Sequence, residues 1–131
     1  KYSDRIQRLL LIGETLRHRD GDKFYTIAQQ ARQQFVQEMI DAFETVDALV
    51  TPTTPMTAPA FDEITDYEGV MSTLANTAPI NLTGQPALTV PCSREKDEAP
   101  VGIQFIADWH DEPTAATLGA TVESFTNDQE T

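Results

Sequence analysis

The chain has 131 residues, 40% of them apolar, which suits one domain or a piece of one and excludes a wholly disordered polymer. Asp and Glu total 21 against 9 Lys and Arg, a net charge of -12. A phosphate backbone or an anionic bilayer calls for a cationic surface, so direct binding of nucleic acid or of such a membrane is excluded as a function.

The carboxylates are dense and lysine is scarce, with Lys1, Lys23 and Lys96 alone. This pattern points to life in high salt, where an acidic surface holds water and salt screens its self-repulsion. A basic protein partner is the other use for such a surface. Cys92 is the single cysteine, so no intrachain disulfide forms, and a reducing cytoplasm is the expected compartment. The N-terminal stretch does not read as a signal peptide, and no segment approaches the ~18 consecutive apolar residues of a membrane span.

In chain order, Ile6, Leu9, Leu10, Gly13 and Leu16 recur at helical spacing. Arg17, His18 and Arg19 suit the last turn of that helix, and Asp20-Gly21 closes it. Asp22 is the expected N-cap of a second helix. Its apolar stripe is Phe24, Ile27, Ala28, Ala31, Phe35, Met39 and Phe43. Both stripes read as core packing. Val46 to Val50 reads as a buried strand stopped by the prolines of Thr51-Pro52-Thr53-Thr54-Pro55. Residues 55–66 read as a loop and residues 67–78 as weakly helical.

Pro79 to Pro86 reads as a turn-rich stretch, with Asn81 placed to bond backbone groups across it. Gly84 and Pro86 force a tight entry into a strand over Ala87 to Val90, ended by Pro91. Residues 93–99 are charged and solvated. Val101 to Ala107 reads as a strand antiparallel to the preceding one. Asp111 caps a final helix with Pro113 in its first turn, and a polar tail from Asn127 frays. The expectation is an α/β fold with a mixed sheet covered by helices, about three strands and four helices. So apolar a first strand wants cover on both faces, which marks the chain as the edge of a larger sheet lying upstream.

A self-contained active site is missing. His18 and His110 stand apart without ligand-spaced partners, so no metal site is expected, and no glycine-rich phosphate loop implies a cofactor. A Cys92–His110 pair is chemically conceivable, but a reactive thiolate needs a base within reach and an electropositive setting, so a structural thiol is expected. The acidic pairs Asp62-Glu63 and Asp111-Glu112 read as solvated surface. The distinctive features are backbone-constraining stretches at strand ends: TPTTP, PINLTGQPALTVPC and PVGIQFIAD.

These stretches resemble the C-terminal third of the amidase-signature family. Asp47 sits in the turn between a long helix and a TPT-P segment ending at Pro55. Pro79, Asn81, Leu82, Gly84, Pro86, Ala87, Thr89, Val90, Pro91 and Cys92 match a following motif, and Pro100 to Ile106 match a third. Glu123 matches an acid near the end of the closing helix. The resemblance implies a hydrolase of carboxylic amides using a Ser-cis-Ser-Lys triad. None of that triad can be carried onto this chain, whose serines are Ser3, Ser72, Ser93 and Ser124.

This segment is therefore expected to be an incomplete part of a single domain, without catalytic residues, supplying sheet and one pocket wall. Leu9, Leu74, Thr77 and Asn81 are the pocket candidates; Pro52, Gly84, Pro86, Gly102 and Gln104 are the structural positions. The family's glutamine-using branch, the A subunit of the tRNA-dependent amidotransferase, has an arginine at the place of Leu9 and an acid at that of Leu74. Apolar residues there remove the pairing for a charged amino-acid group and imply a general amidase. The expected partner is a small-molecule amide, and a homodimer is left open. A non-catalytic interaction module on the same fold is the rival reading.

Overall fold

The computed structural model describes residues 2–60, 62–64, 66–92 and 99–128. The charged stretch 93–98 and the polar tail 129–131 lie outside the described residues. Among the described residues five helices and three strands follow one another: α1 Asp4–Asp20, α2 Lys23–Phe43, β1 Ala48–Pro52, α3 Tyr67–Thr73, α4 Ala78–Thr83, β2 Ala87–Cys92, β3 Val101–Ala107 and α5 Glu112–Asp128. The chain divides into two units, Lys1–Gln37 and Glu38–Thr131.

The first unit holds α1 and most of α2. Helix α1 starts after Ser3, whose extended backbone carries a carbonyl that accepts from Gln7 N–H at 3.0 Å. It ends as expected at Gly21, where φ is 61°. Glu14 and Arg17, one turn apart, pair at 2.9 Å; this contact holds the carboxyl below and the guanidinium above their ordinary values. Asp22 opens α2 through its backbone, its carbonyl accepting from Thr26 N–H at 2.9 Å.

No residue of α1 or α2 is buried. Ile6, Leu9, Leu10, Phe24 and Ile27 of the predicted stripes are exposed, which corrects the expectation of core packing. Leu16, Met39 and Phe43 of the same stripes are half-buried. Helical periodicity states that a face needs cover but not what provides it.

The second unit is built on a three-stranded sheet of order β1-β3-β2, antiparallel throughout. Thr51, Gln104 and Thr89 form one row across it, and Val50, Phe105 and Leu88 the next. Successive residues of a strand face opposite sides, so these rows point to opposite faces. Helix α5 packs on the Leu88 side, where Gly119 lets it approach so closely that a Cβ would overlap Leu88 Cδ2. On central β3, Phe105 and its neighbour Ile106 are both buried, so this strand is covered on both faces.

The sequence places β1 over Val46 to Val50 and expects it buried. It runs instead over Ala48–Pro52 at one edge of the described sheet, with Val50 58% exposed. Pro52 does not stop it, because an edge strand has one ladder to feed and Thr53 N–H continues that ladder to Gly102 O at 2.8 Å. For the same reason β2 passes through Pro91 to Cys92. Helix α4, which is not among the expected elements, occupies part of the stretch expected as turn. Pro79 in its first turn and left-handed Gly84 at its end are ordinary start and stop signals. Asp111 starts α5 as expected, its carboxylate accepting from Thr114 N–H at 3.4 Å.

Candidate functional site

Leu74, Thr77 and Asn81 lie together on the α3–α4 segment of the second unit, while Leu9 lies exposed on α1 of the first. Leu74 follows the last residue of α3, and its carbonyl accepts from Thr77 N–H at 3.1 Å and Ala78 N–H at 2.8 Å. These bonds make residues 74–78 a tight corner. Thr77 is half-buried, and its hydroxyl turns back to Leu74 O at 3.4 Å instead of capping α4. Asn81 is exposed on α4, with its backbone N–H on Thr77 O at 3.1 Å. Its side chain has no partner among the described residues, which corrects the expected role in bonding across a turn: that stretch is helix and satisfies its own backbone.

Of the structural positions, Pro52 and Gln104 bond this corner directly. Gly84, at φ 87°, ends α4 with its N–H on Ile80 O at 2.8 Å. Trp109 braces the same end, its indole N–H donating to Thr83 O at 3.3 Å. Pro86 O accepts from Ala107 N–H at 3.1 Å, tying the entry of β2 to the end of β3. Pro52 O accepts from Asn76 Nδ2 at 2.8 Å. Gln104, 4% exposed on the central strand, donates from Nε2 to Thr51 Oγ1 at 3.2 Å and to Asn76 O at 3.3 Å. Gly102 has no room for a side chain, because Thr53 and Thr89 close over it and share a 3.2 Å hydroxyl bond.

Sequence reasoning names Thr51, Thr53 and Thr89 within motifs without foreseeing what their side chains do, and it misses Asn76. The threonines carry a signal: Thr51 and Thr53 alternate along one strand and so mark a polar face. Asn76 carries none, since its partner Pro52 is 24 residues away.

The Cys92–His110 pair is disposed of by register. Cys92 lies opposite Val101 at one end of β3, whereas His110 follows Ala107 at the other. Six strand steps of about 3.3 Å put roughly 20 Å between those ends. Among the described residues no three His, Cys, Asp or Glu side chains gather as a metal site requires. No described helix is long and apolar enough to cross a membrane. Two grooves, of about 510 and about 490 Å³, lie along α1 and the α1–α2 turn and include none of the second unit's candidates. Among the described residues, the α3–α4 corner against the sheet thus offers shape and fixed polar groups.

The family model for amidases matches residues 1–115. The chain belongs to the amidase family. It is 36% identical over 124 residues to the A subunit of glutamyl-tRNA(Gln) amidotransferase from Gluconobacter oxydans, covering 93% of this chain and 25% of that protein. The corresponding protein from Prochlorococcus marinus is 38% identical over 113 residues, covering 82% of this chain and 22% of its own length. Among solved structures, the crystal structure of an amidase superimposes with a TM-score of 0.74 at 26% identity, covering 94% of this chain and 29% of that one. The glutamyl-tRNA(Gln) amidotransferase A subunit from Thermotoga maritima gives 0.65 at 29% identity, covering 88% and 25%. The chain therefore spans about a quarter of the length of the curated relatives it matches.

Proposed function

We propose that the chain is the C-terminal segment of an amide hydrolase, in which it supplies sheet and one wall of the substrate pocket. The nucleophilic serine and its proton-shuttling serine and lysine come from an upstream portion of the same domain. The observation that carries this reading is the family match over residues 1–115 by a chain that corresponds to about a quarter of its relatives. The corner at residues 74–78 suits a pocket wall because it is partly exposed and is held by hydrogen bonds within itself and to the sheet.

Leu9 and Leu74 favour a neutral amide over glutamine as substrate. A charged α-amino acid group needs ionic partners, and apolar side chains at both places provide none. The names of the curated relatives favour a second reading, the glutamine-using component of a tRNA-dependent amidotransferase.

The test is ammonia release by the full-length enzyme containing this segment, from a panel of small neutral amides and from glutamine with and without amidotransferase partners. Turnover of neutral amides, abolished by replacing the upstream serine, is the expected result. Release from glutamine alone, dependent on partners, would establish the second reading. No turnover, with no serine-rich signature upstream, would leave a non-catalytic module.

A further inference from the structure

The row Thr51–Gln104–Thr89 places an amide at the centre of the sheet, on the strand covered from both faces. An aliphatic side chain is the ordinary occupant of such a position, and a buried amide is tolerated when its hydrogen bonds are met. Both hydrogens of Gln104 Nε2 are used, one on Thr51 Oγ1 in β1 and one on Asn76 O in the α3–α4 corner. Asn76 is held a second time, by its own Nδ2 on Pro52 O at 2.8 Å. The corner is thus tied through its backbone to the central strand and through a side chain to an edge strand. Apolar packing at 104 would hold it down without fixing its height or rotation, because dispersion contacts are non-directional whereas these bonds are not.

We infer that Gln104 and Asn76 are positioning residues, which set the α3–α4 corner so that Leu74 and Thr77 present a fixed wall to the amide substrate. They act through the corner and do not touch the substrate. The inference rests on the proposed reading of Leu74 and Thr77 as pocket wall. An uncertain wall weakens discrimination between acyl groups of different size, while the reacting groups, carried elsewhere, keep their rate once substrate is bound.

The test uses the full-length enzyme and a series of neutral amides of increasing acyl length, with kcat, KM and Tm measured for each variant. Gln104→Met keeps the length and removes both donors; Asn76→Asp keeps the shape and removes the donor to Pro52 O. Each is expected to raise KM about tenfold for the best substrate and to flatten the acyl preference, with kcat within about twofold of the parent. Thr51→Val, which removes one acceptor, is expected to show a smaller shift of the same kind, and Thr51→Ser to rescue it. A fall in Tm with KM and acyl preference unchanged would make the network merely structural and overturn the inference.

Should Gln104→Met fail to fold, Thr51→Val against Thr51→Ser decides, and equal KM values for the two overturn the inference. Leu74→Ala and Thr77→Ala separate it from the underlying reading. If they alter acyl preference while the network variants do not, the pocket wall stands and the positioning role falls. If neither set alters it, the pocket-wall reading itself is wrong.

Discussion

Replacing Gly102 by alanine tests whether the polar face of the sheet is as closely packed as its geometry requires. A Cβ at this position would stand 2.7 Å from Thr53 Oγ1, 3.1 Å from Thr53 Cβ and 3.0 Å from Thr89 Cγ2. Both neighbours are β-branched and short, so neither can swing a flexible end aside. Rotating Thr53 also breaks its 3.2 Å bond to Thr89. Alanine in a strand recovers about 0.5–1 kcal/mol of backbone entropy relative to glycine. Overpacking costs about 1–3 kcal/mol, and loss of the partly exposed hydroxyl bond adds about 0.5 kcal/mol. The expected net is a destabilisation of the second unit by about 0.5–3 kcal/mol.

Urea unfolding of the chain in molar salt, followed by the fluorescence of Trp109, is the assay. Trp109 is the sole tryptophan, and its indole bond to Thr83 O lies within the second unit. Gly13→Ala is the control: nothing lies within 4 Å of a Cβ there, so the helix-propensity gain of about 0.8–1 kcal/mol should appear as added helicity of α1. Adding Thr53→Ala to Gly102→Ala removes the nearest clash and should restore about 1 kcal/mol beyond additivity. If Gly102→Ala raises the unfolding midpoint, or if Thr53→Ala fails to rescue it, close packing at Gly102 is refuted.

Two further outcomes concern charge. Arg17 lowers the pKa of Glu14 by a direct hydrogen bond and then by its charge, so the pair supports α1 above the ordinary carboxyl range and loses that support as pH falls through the lowered pKa. In Arg17→Gln the Glu14 carboxyl should titrate higher by NMR; an unchanged midpoint would exclude the pair as the cause. The net charge of -12 leads us to propose that activity and unfolding midpoint of the full-length enzyme rise toward molar salt. Full activity at physiological ionic strength, where the Debye length is about 8 Å, would contradict a halophilic adaptation.

Local chemistry was legible in the sequence. The close of α1 at Gly21, the start of α5 at Asp111, the full extent of β3 and its antiparallel pairing with β2 follow from caps, breakers and alternation within a few residues of each event. The motifs around Thr51, Pro79 and Pro100 gave the family, because three ordered patterns rarely coincide. Even α4 was announced by Pro79 and Gly84, although the proline-rich surroundings point toward a turn.

Tertiary structure decided the rest. Whether a proline ends a strand depends on whether the strand has one neighbour or two, and β1 and β2 pass through Pro52 and Pro91 because each lies at an edge of the described sheet. The apolar stripes of α1 and α2 report a need for cover, and cover is a property of whatever packs against them. The tie from Gln104 to Asn76 and from Asn76 to Pro52 joins residues 28 and 24 positions apart. No periodicity records such a pairing, because directional bonds between distant segments exist once the chain has folded back on itself.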